Sequence, residues 1–235
     1  MKCARTVVRP WCPAVALAAL TAVAAILPSQ PPALTQEFVV VRGKEPIPRE
    51  GFKTWSLLLV TSQDWLVPAN ASRLQDLYDR SLAFGRTIGD EHAAVWFWKE
   101  DQPLHSPALA ANVDVERAIA YCQTLRLKPG DGPYLVFTAV HPDEQVAPDA
   151  FQVFALGGKT AEEIGRLLTT LGDQLVTDGV VQGGRFTAAP GSDDFWSAWF
   201  DATRHTLASL GMKVRFLIRT PSFTIDGGIA QGGAG

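Results

Sequence analysis

The sequence is poor in cysteine and has no excess of basic residues. It contains 3 Cys among 235 residues, too few for a disulfide-stabilised small domain or a cysteine-rich metal module. Lys and Arg total 21 against 24 Asp and Glu, which gives a formal net charge of −3. Because nucleic-acid binders need a basic surface to displace phosphate counterions, this balance argues against a nucleic-acid partner.

Signatures of common catalytic and cofactor sites are also missing from the sequence. It has no Gly-x-Ser-x-Gly elbow, no Walker A motif and no dinucleotide fingerprint. Its histidines (His92, His105, His141, His205) lack metal-ligand spacing with Cys or carboxylates. The run 157–160, Gly-Gly-Lys-Thr, is interpreted as a turn that begins a helix. We therefore predict no catalytic residue set, no metal and no cofactor.

What the sequence does have at its start is a positive head followed by a short apolar run. Lys2, Arg5 and Arg9 precede residues 13–27, which carry no charge. This layout is typical of a secretory signal, and the run is shorter than the roughly 20 residues of a spanning helix. We predict that residues 1–30 direct export to a periplasmic or extracellular location. If the segment is not cleaved, residues 13–27 would anchor the protein in the membrane.

The remaining sequence alternates apolar runs with helical periodicity and predicts an α/β fold. Hydrophobic residues make up 47% of the chain, enough for a packed core. Strands are predicted at 38–41, 55–61, 92–98, 133–140 and 151–156, and helices at 71–84, 113–125 and 160–176. The first two crossovers predict parallel neighbours and the last strand pair an antiparallel hairpin, giving a mixed sheet with helices on both faces.

The domain organisation follows from these elements. Residues 31–51 form a proline-rich linker with a short strand, 52–178 one α/β domain, and 226–235 a Gly-rich flexible tail. Between them, residues 179–225 form a C-terminal extension with a helix at 195–210 and a strand at 214–218. Trp96 and Trp98 share one strand face and are predicted core residues. Trp196 and Trp199 are expected to dock the C-terminal helix on the domain, with a partner-binding surface as the alternative.

Two segments resemble the thioredoxin family. The strand 55–61 leads through three polar residues into Trp65-Leu66-Val67-Pro68-Ala69, where thioredoxins have Trp-Cys-Gly-Pro-Cys at a helix start. Gly132-Pro133-Tyr134 resembles the family's cis-proline segment before the third core strand. The resemblance covers about residues 52–175 and implies a thioredoxin-like mixed sheet of order βαβαββα.

The family's thiol chemistry is not implied by these residues. Leu66 and Ala69 stand where the two cysteines would be, and Val60 stands at the position of the family's buried acid. Thiol–disulfide exchange needs one thiolate to attack and a second thiol to resolve the mixed disulfide. Cys122, the one cysteine outside the N-terminal segment, falls on the apolar stripe of a predicted helix and is interpreted as a core residue.

The sequence therefore predicts an exported, redox-inactive, thioredoxin-like domain that binds a protein or peptide partner. The resemblance implies a contact groove in which the backbone of Gly132 would offer strand-like hydrogen bonds. The predicted groove residues are Trp65, Leu66, Val67, Pro68, Ala69, Gly132 and Pro133. Two alternatives stay open: an enzyme that uses this fold with other chemistry, and a membrane-held structural subunit of an envelope complex. The oligomeric state is not predicted.

Overall fold

The computed structural model describes residues 39–99, 109–144 and 151–210, together with the backbone of 215–219 and 224–228. These residues belong to one compact unit, Leu34–Gly235. The expected signal or anchor at residues 1–30, Phe38 and His105 lie outside the described residues.

The described elements match the predicted order of strands and helices. In chain order they are β1 (Val39–Arg42), β2 (Thr54–Leu59), α1 (Ala71–Ile88), β3 (His92–Trp98), α2 (Leu109–Asn112), α3 (Val115–Thr124), β4 (Tyr134–Thr138), β5 (Phe151–Ala155), α4 (Ala161–Thr177), β6 (Val181–Gln182), β7 (Arg185–Phe186), α5 (Asp193–Leu210), β8 (Arg215–Arg219) and β9 (Thr224–Gly228). The short helix α2 and the hairpin β6–β7 were not predicted. Nor was β9, so the predicted flexible tail begins with strand residues at 226–228.

Five strands form one mixed sheet in the order β1-β3-β2-β4-β5. Strands β1, β3 and β2 run parallel to one another, whereas β4 pairs antiparallel with both β2 and β5. Helices cover both faces of this sheet. The predicted α/β class, the parallel β2–β3 neighbours and the final hairpin are therefore confirmed.

The second crossover differs from the prediction, because β4 does not run parallel to its neighbour. Tyr134 at the start of β4 lies opposite Leu59 at the end of β2. The loop before β4 is held at that edge, since the Thr61 hydroxyl donates a hydrogen bond to the carbonyl of Pro129. A chain that begins β4 where β2 ends must run back along β2, which gives the antiparallel pairing.

The two sheet faces carry two separate apolar clusters. Helices α1, α4 and α5 cover the face that contains Trp96 and Trp98, and α3 covers the face that contains Phe97. All three aromatic side chains are at most 4% exposed. The prediction that Trp96 and Trp98 are core residues on a shared face is confirmed.

Helix α5 completes the core of the three-helix face. The side chains of Trp196 and Trp199 are fully buried, and the Trp199 ring stacks on Phe137 with centroids 3.6 Å apart. The Trp199 indole also donates a hydrogen bond to the side-chain oxygen of Gln152. The docking prediction is therefore confirmed for both tryptophans, and the alternative of an exposed partner surface is wrong for them.

Helix α4 begins where the sequence predicts. The Thr160 hydroxyl accepts a hydrogen bond from the Glu163 amide, and the Glu163 carboxylate accepts one from the Thr160 amide. This reciprocal cap satisfies two amides that a helix start otherwise leaves unpaired. Within the described part of the chain, no helix combines the length and apolar character needed to cross a membrane.

Candidate functional site

The Trp65 turn, residues 62–70, follows β2 directly and is fixed by local hydrogen bonds. The Ser62 hydroxyl accepts from the Asp64 amide at 3.2 Å, which starts a 3-10 turn over Gln63–Leu66. Asn70 precedes α1, but its side chain makes no cap hydrogen bond to that helix. Its side-chain amide instead donates to the carbonyl of Asp64 at 2.6 Å and closes the turn on itself.

Trp65 lies beneath this turn and not at its rim. Its side chain is 6% exposed and belongs to the core cluster of the three-helix face. The Arg73 guanidinium lies 4.0 Å from the centre of the ring, a cation–π contact, and donates a hydrogen bond to the Lys159 carbonyl. Trp65 therefore anchors the turn to α1 and, through Arg73, to the loop before α4.

The four residues after Trp65 form the accessible part of the predicted groove. Leu66 is half-buried, Val67 is 42% exposed, and Pro68 and Ala69 are exposed. Among the described residues, Val67 and Val176 are the large apolar side chains with this degree of exposure. Val67, Pro68 and Ala69 thus give the turn an exposed apolar surface.

Gly132 and Pro133 reach the same edge of the sheet but are buried there. A side chain at position 132 would overlap the Thr61 hydroxyl, so only glycine fits without a shift. The peptide bond between the two residues is cis. The Gly132 amide donates to the carbonyl of Pro129, and the Pro133 carbonyl accepts from the Leu156 amide. These polar groups are thus used within the protein.

A groove of about 970 Å³ lies beside the Trp65 turn. It shares Gln63 and Lys99 with a second groove of about 720 Å³ that lies beside α3, and we call the two together the edge groove. The residues that line it are Gly43, Lys44, Gln63, Leu66, Pro68, Ala71, Ser72, Gln75, Asp76, Asp79, Lys99, Leu109, Ala110, Ala111, Asp114, Val115, Glu116, Arg117 and Ala120. Of the predicted site residues, only Leu66 and Pro68 are among them.

The edge groove occupies the position where open α/β sheets bind ligands. The chain leaves β2 for α1 on one face of the sheet and leaves β3 for α3 on the opposite face. Such a change of face between neighbouring parallel strands opens a crevice at their carboxyl ends. Sequence reasoning missed Gly43, Gln63 and Lys99: each closely follows a predicted strand, but which of these strands are neighbours is seen only in the assembled sheet.

The buried titratable groups of the described chain lie away from this groove. The His92 ring, which is 4% exposed, bonds Thr54 through Nδ1 and Ser56 through Nε2, both at 2.9 Å. Burial lowers the pKa of His92 to about 3. Cys122 is fully buried, which confirms its interpretation as a core residue, and this burial raises the pKa of its thiol to about 12. No group of three or more His, Cys, Asp or Glu among the described residues is placed to hold a metal ion.

Comparison with known proteins does not show a family for this chain. No family profile and no solved structure matches it. A segment of 113 residues, 46% of the chain, is 29% identical to part of the aspartate–tRNA(Asp/Asn) ligase of Agrobacterium fabrum. The chain spans about a fifth (19%) of the length of that ligase.

Proposed function

We propose that this protein is an exported, redox-inactive, thioredoxin-like domain that binds an extended segment of a partner protein in the edge groove. The observation that carries the binding function is a turn with exposed apolar residues, Val67 to Ala69, beside a groove at the carboxyl ends of parallel strands.

Topology supports the thioredoxin-like part of the proposal. From β2 to α4 the described chain keeps the strand, helix, strand, helix, strand, strand, helix order on which the resemblance depends, with α2 added. The Trp65 turn and the Gly132–Pro133 segment also reach one edge of the sheet, because β4 begins opposite the end of β2. This is the juxtaposition that the resemblance implies.

The side chains of the turn support a binding role without thiol exchange. Leu66 and Ala69 carry no group that can attack a disulfide. Cys122 lies on the α3 face with its thiol buried, and its raised pKa keeps it protonated at neutral pH. We therefore expect the purified protein to show no disulfide reductase activity against insulin, and turnover that Cys122→Ser abolishes would contradict this part of the proposal.

The binding role is tested by comparing two exposed valines. A photoreactive benzoyl-phenylalanine is placed at Val67 or at Val176, which are 42% and 50% exposed respectively, in the full chain expressed in its native cells. We expect a covalent adduct with a partner protein from position 67 and none from position 176, because only Val67 adjoins the edge groove. Adducts from both positions, or from neither, would contradict the assignment.

Export is tested on the same cells. We expect the protein in the envelope or medium fraction, and N-terminal sequencing of that fraction distinguishes a cleaved signal from a retained anchor. Recovery of the full chain in the cytoplasm alone would overturn the exported location and leave the groove assignment in place.

A further inference from the structure

The edge groove carries opposite charge at its two ends, and this inference rests on the proposed binding function. At the α1 end lie Asp76 and Asp79. The Asp76 carboxylate is paired with Arg80 at 2.8 Å, whereas Asp79 accepts only a neutral hydrogen bond from Gln75 at 3.1 Å. Asp79 is therefore the carboxylate at this end that lacks a cationic partner among the described residues.

The other end of the groove carries Lys44 and Arg117, and Lys99 lies where the two parts of the groove meet. The Arg117 guanidinium donates to the carbonyls of Gly43 and Glu45 and stacks over Phe97. Lys44 and Lys99 are exposed, and their ammonium groups make no ion pair or side-chain hydrogen bond with the described residues.

Two acidic side chains also belong to this basic end. Asp114 is engaged as the cap of α3, where its carboxylate accepts from the Arg117 amide at 2.9 Å, and Glu116 is exposed. With Lys99 counted, three cations against two carboxylates give this part of the groove a net positive charge, and the two exposed lysines are its cations without an ion pair.

Between these ends the groove wall is mostly apolar. Its apolar residues are Leu66, Pro68 and Ala71 near the Trp65 turn and residues 109–111 of α2, and the uncharged polar residues Gln63, Ser72 and Gln75 complete the lining. We propose that the partner segment has a basic side chain that meets Asp79, an apolar stretch that meets this wall, and an acidic side chain that meets Lys44 and Lys99. The three parts of the groove thereby specify both the composition and the direction of the bound segment.

The test uses a displayed library of random twelve-residue peptides selected on the immobilised full chain. We expect enriched peptides to carry Lys or Arg and Asp or Glu in one fixed order, separated by apolar residues. An enriched peptide is then synthesised with a fluorophore, and its affinity is measured by fluorescence polarisation against charge variants.

Each reversal should weaken binding in a charge-specific way. Asp79→Lys and Lys99→Glu are each expected to lower affinity by about threefold or more, as for exposed ion pairs. The matched controls Asp173→Lys and Arg185→Glu change exposed charges outside the groove and should leave affinity unchanged. A peptide whose basic residue is replaced by Glu should regain affinity for Asp79→Lys, and about 1 M salt should remove these differences.

The outcomes separate this inference from the function on which it rests. Peptides that enrich without a charge order, or that bind all four variants like the unaltered chain, would overturn the charge assignment alone. Enrichment that is as strong on Val67→Asp as on the unaltered chain, or no enrichment on either, would overturn both.

Discussion

Gly132 shows how one residue without a side chain holds the edge of the sheet together. Its backbone lies against the Thr61 hydroxyl, and that hydroxyl donates to the carbonyl of Pro129. The contact joins the end of β2 to the loop before β4. A Cβ at position 132 would have to displace the hydroxyl, and the Thr61 side chain is too short to move away without losing its hydrogen bond.

We expect Gly132→Ala to destabilise the protein by about 1–3 kcal/mol, the usual cost of overpacking a tight site. In a Thr61→Ala background the overlapping oxygen is gone, so the same substitution should cost less. Urea unfolding of the unaltered chain, the two single variants and the double variant gives the coupling energy.

Gly130→Ala is the matched control for this cycle, because a Cβ there meets nothing within 4 Å. It should change the free energy of unfolding by less than about 0.5 kcal/mol. Equal costs at positions 130 and 132, or additive effects of Thr61→Ala and Gly132→Ala, would contradict the packing argument.

His92 makes the stability of the protein sensitive to acid. Burial lowers its pKa to about 3, against about 6.5 in an unfolded chain. Above pH 6.5 the ring is neutral in both states. As the pH falls from there toward 3, only the unfolded chain takes up this proton, so stability is lost with a slope of up to about 1.4 kcal/mol per pH unit.

We expect His92→Gln to remove this contribution to the pH dependence. The variant should be less stable at about pH 7, because the packing of the ring on Phe137 is lost, yet its disadvantage should shrink between about pH 6.5 and pH 4. Urea unfolding across this range measures both curves. Parallel pH profiles would show that His92 does not titrate between the folded and unfolded states.

At the scale of elements, continuous apolar runs in the sequence predicted the buried strands reliably. All six residues of β2 and all seven of β3 are buried, so their patterns could not be confused with exposed segments. The direction of β4 was not predictable in this way. It depends on the contact of Thr61 with a loop 68 residues later, and no local periodicity encodes such a contact.

Helix α5 belongs to the core, so its buried aromatic residues should contribute to the free energy of unfolding. Trp199 is fully buried against Phe137 and bonded to Gln152. We expect Trp199→Ala to cost about 3–5 kcal/mol, and Trp199→Phe to cost less because it keeps most of the ring contact. Thermal and urea unfolding measure both variants. His205→Ala, at an exposed position of the same helix, should be near neutral, and a similar loss there would contradict the assignment of the Trp199 cost to core packing.

At the scale of the whole molecule, the sequence located the turn of the candidate site but not the shape of the groove. Leu66 and Pro68 were predicted and line it. The family resemblance implied that Trp65 lines the contact groove, yet the Arg73 contact and core packing bury it. Lys44 and Lys99 depend on which strands are neighbours, and that information appears only once the sheet is assembled.

The two faces of the sheet are covered by different numbers of helices. Cys122 lies on the face with fewer helices, so its accessibility measures the opening of that face. Among the described helices, α3 alone packs on its face, whereas α1, α4 and α5 share the other. Cys122 is 0% exposed beneath α3. A ten-residue helix is held in place mainly by this packing. We therefore expect α3 to detach before the rest of the protein unfolds. The opening that exposes Cys122 to alkylation should then cost less free energy than global unfolding.

The measurement is iodoacetamide labelling of the Cys122 peptide, followed by mass spectrometry and compared with unfolding by tryptophan fluorescence. Ala120 is exposed on α3, and Gly is about 1 kcal/mol less favourable than Ala inside a helix. Ala120→Gly should therefore lower the free energy of opening by about 1 kcal/mol and speed labelling. The matched Ala83→Gly on α1 should lower global stability by a similar amount and leave Cys122 labelling unchanged. If both substitutions accelerate labelling equally, α3 and the three-helix face unfold as one unit, and the unequal cover of the sheet has no energetic consequence.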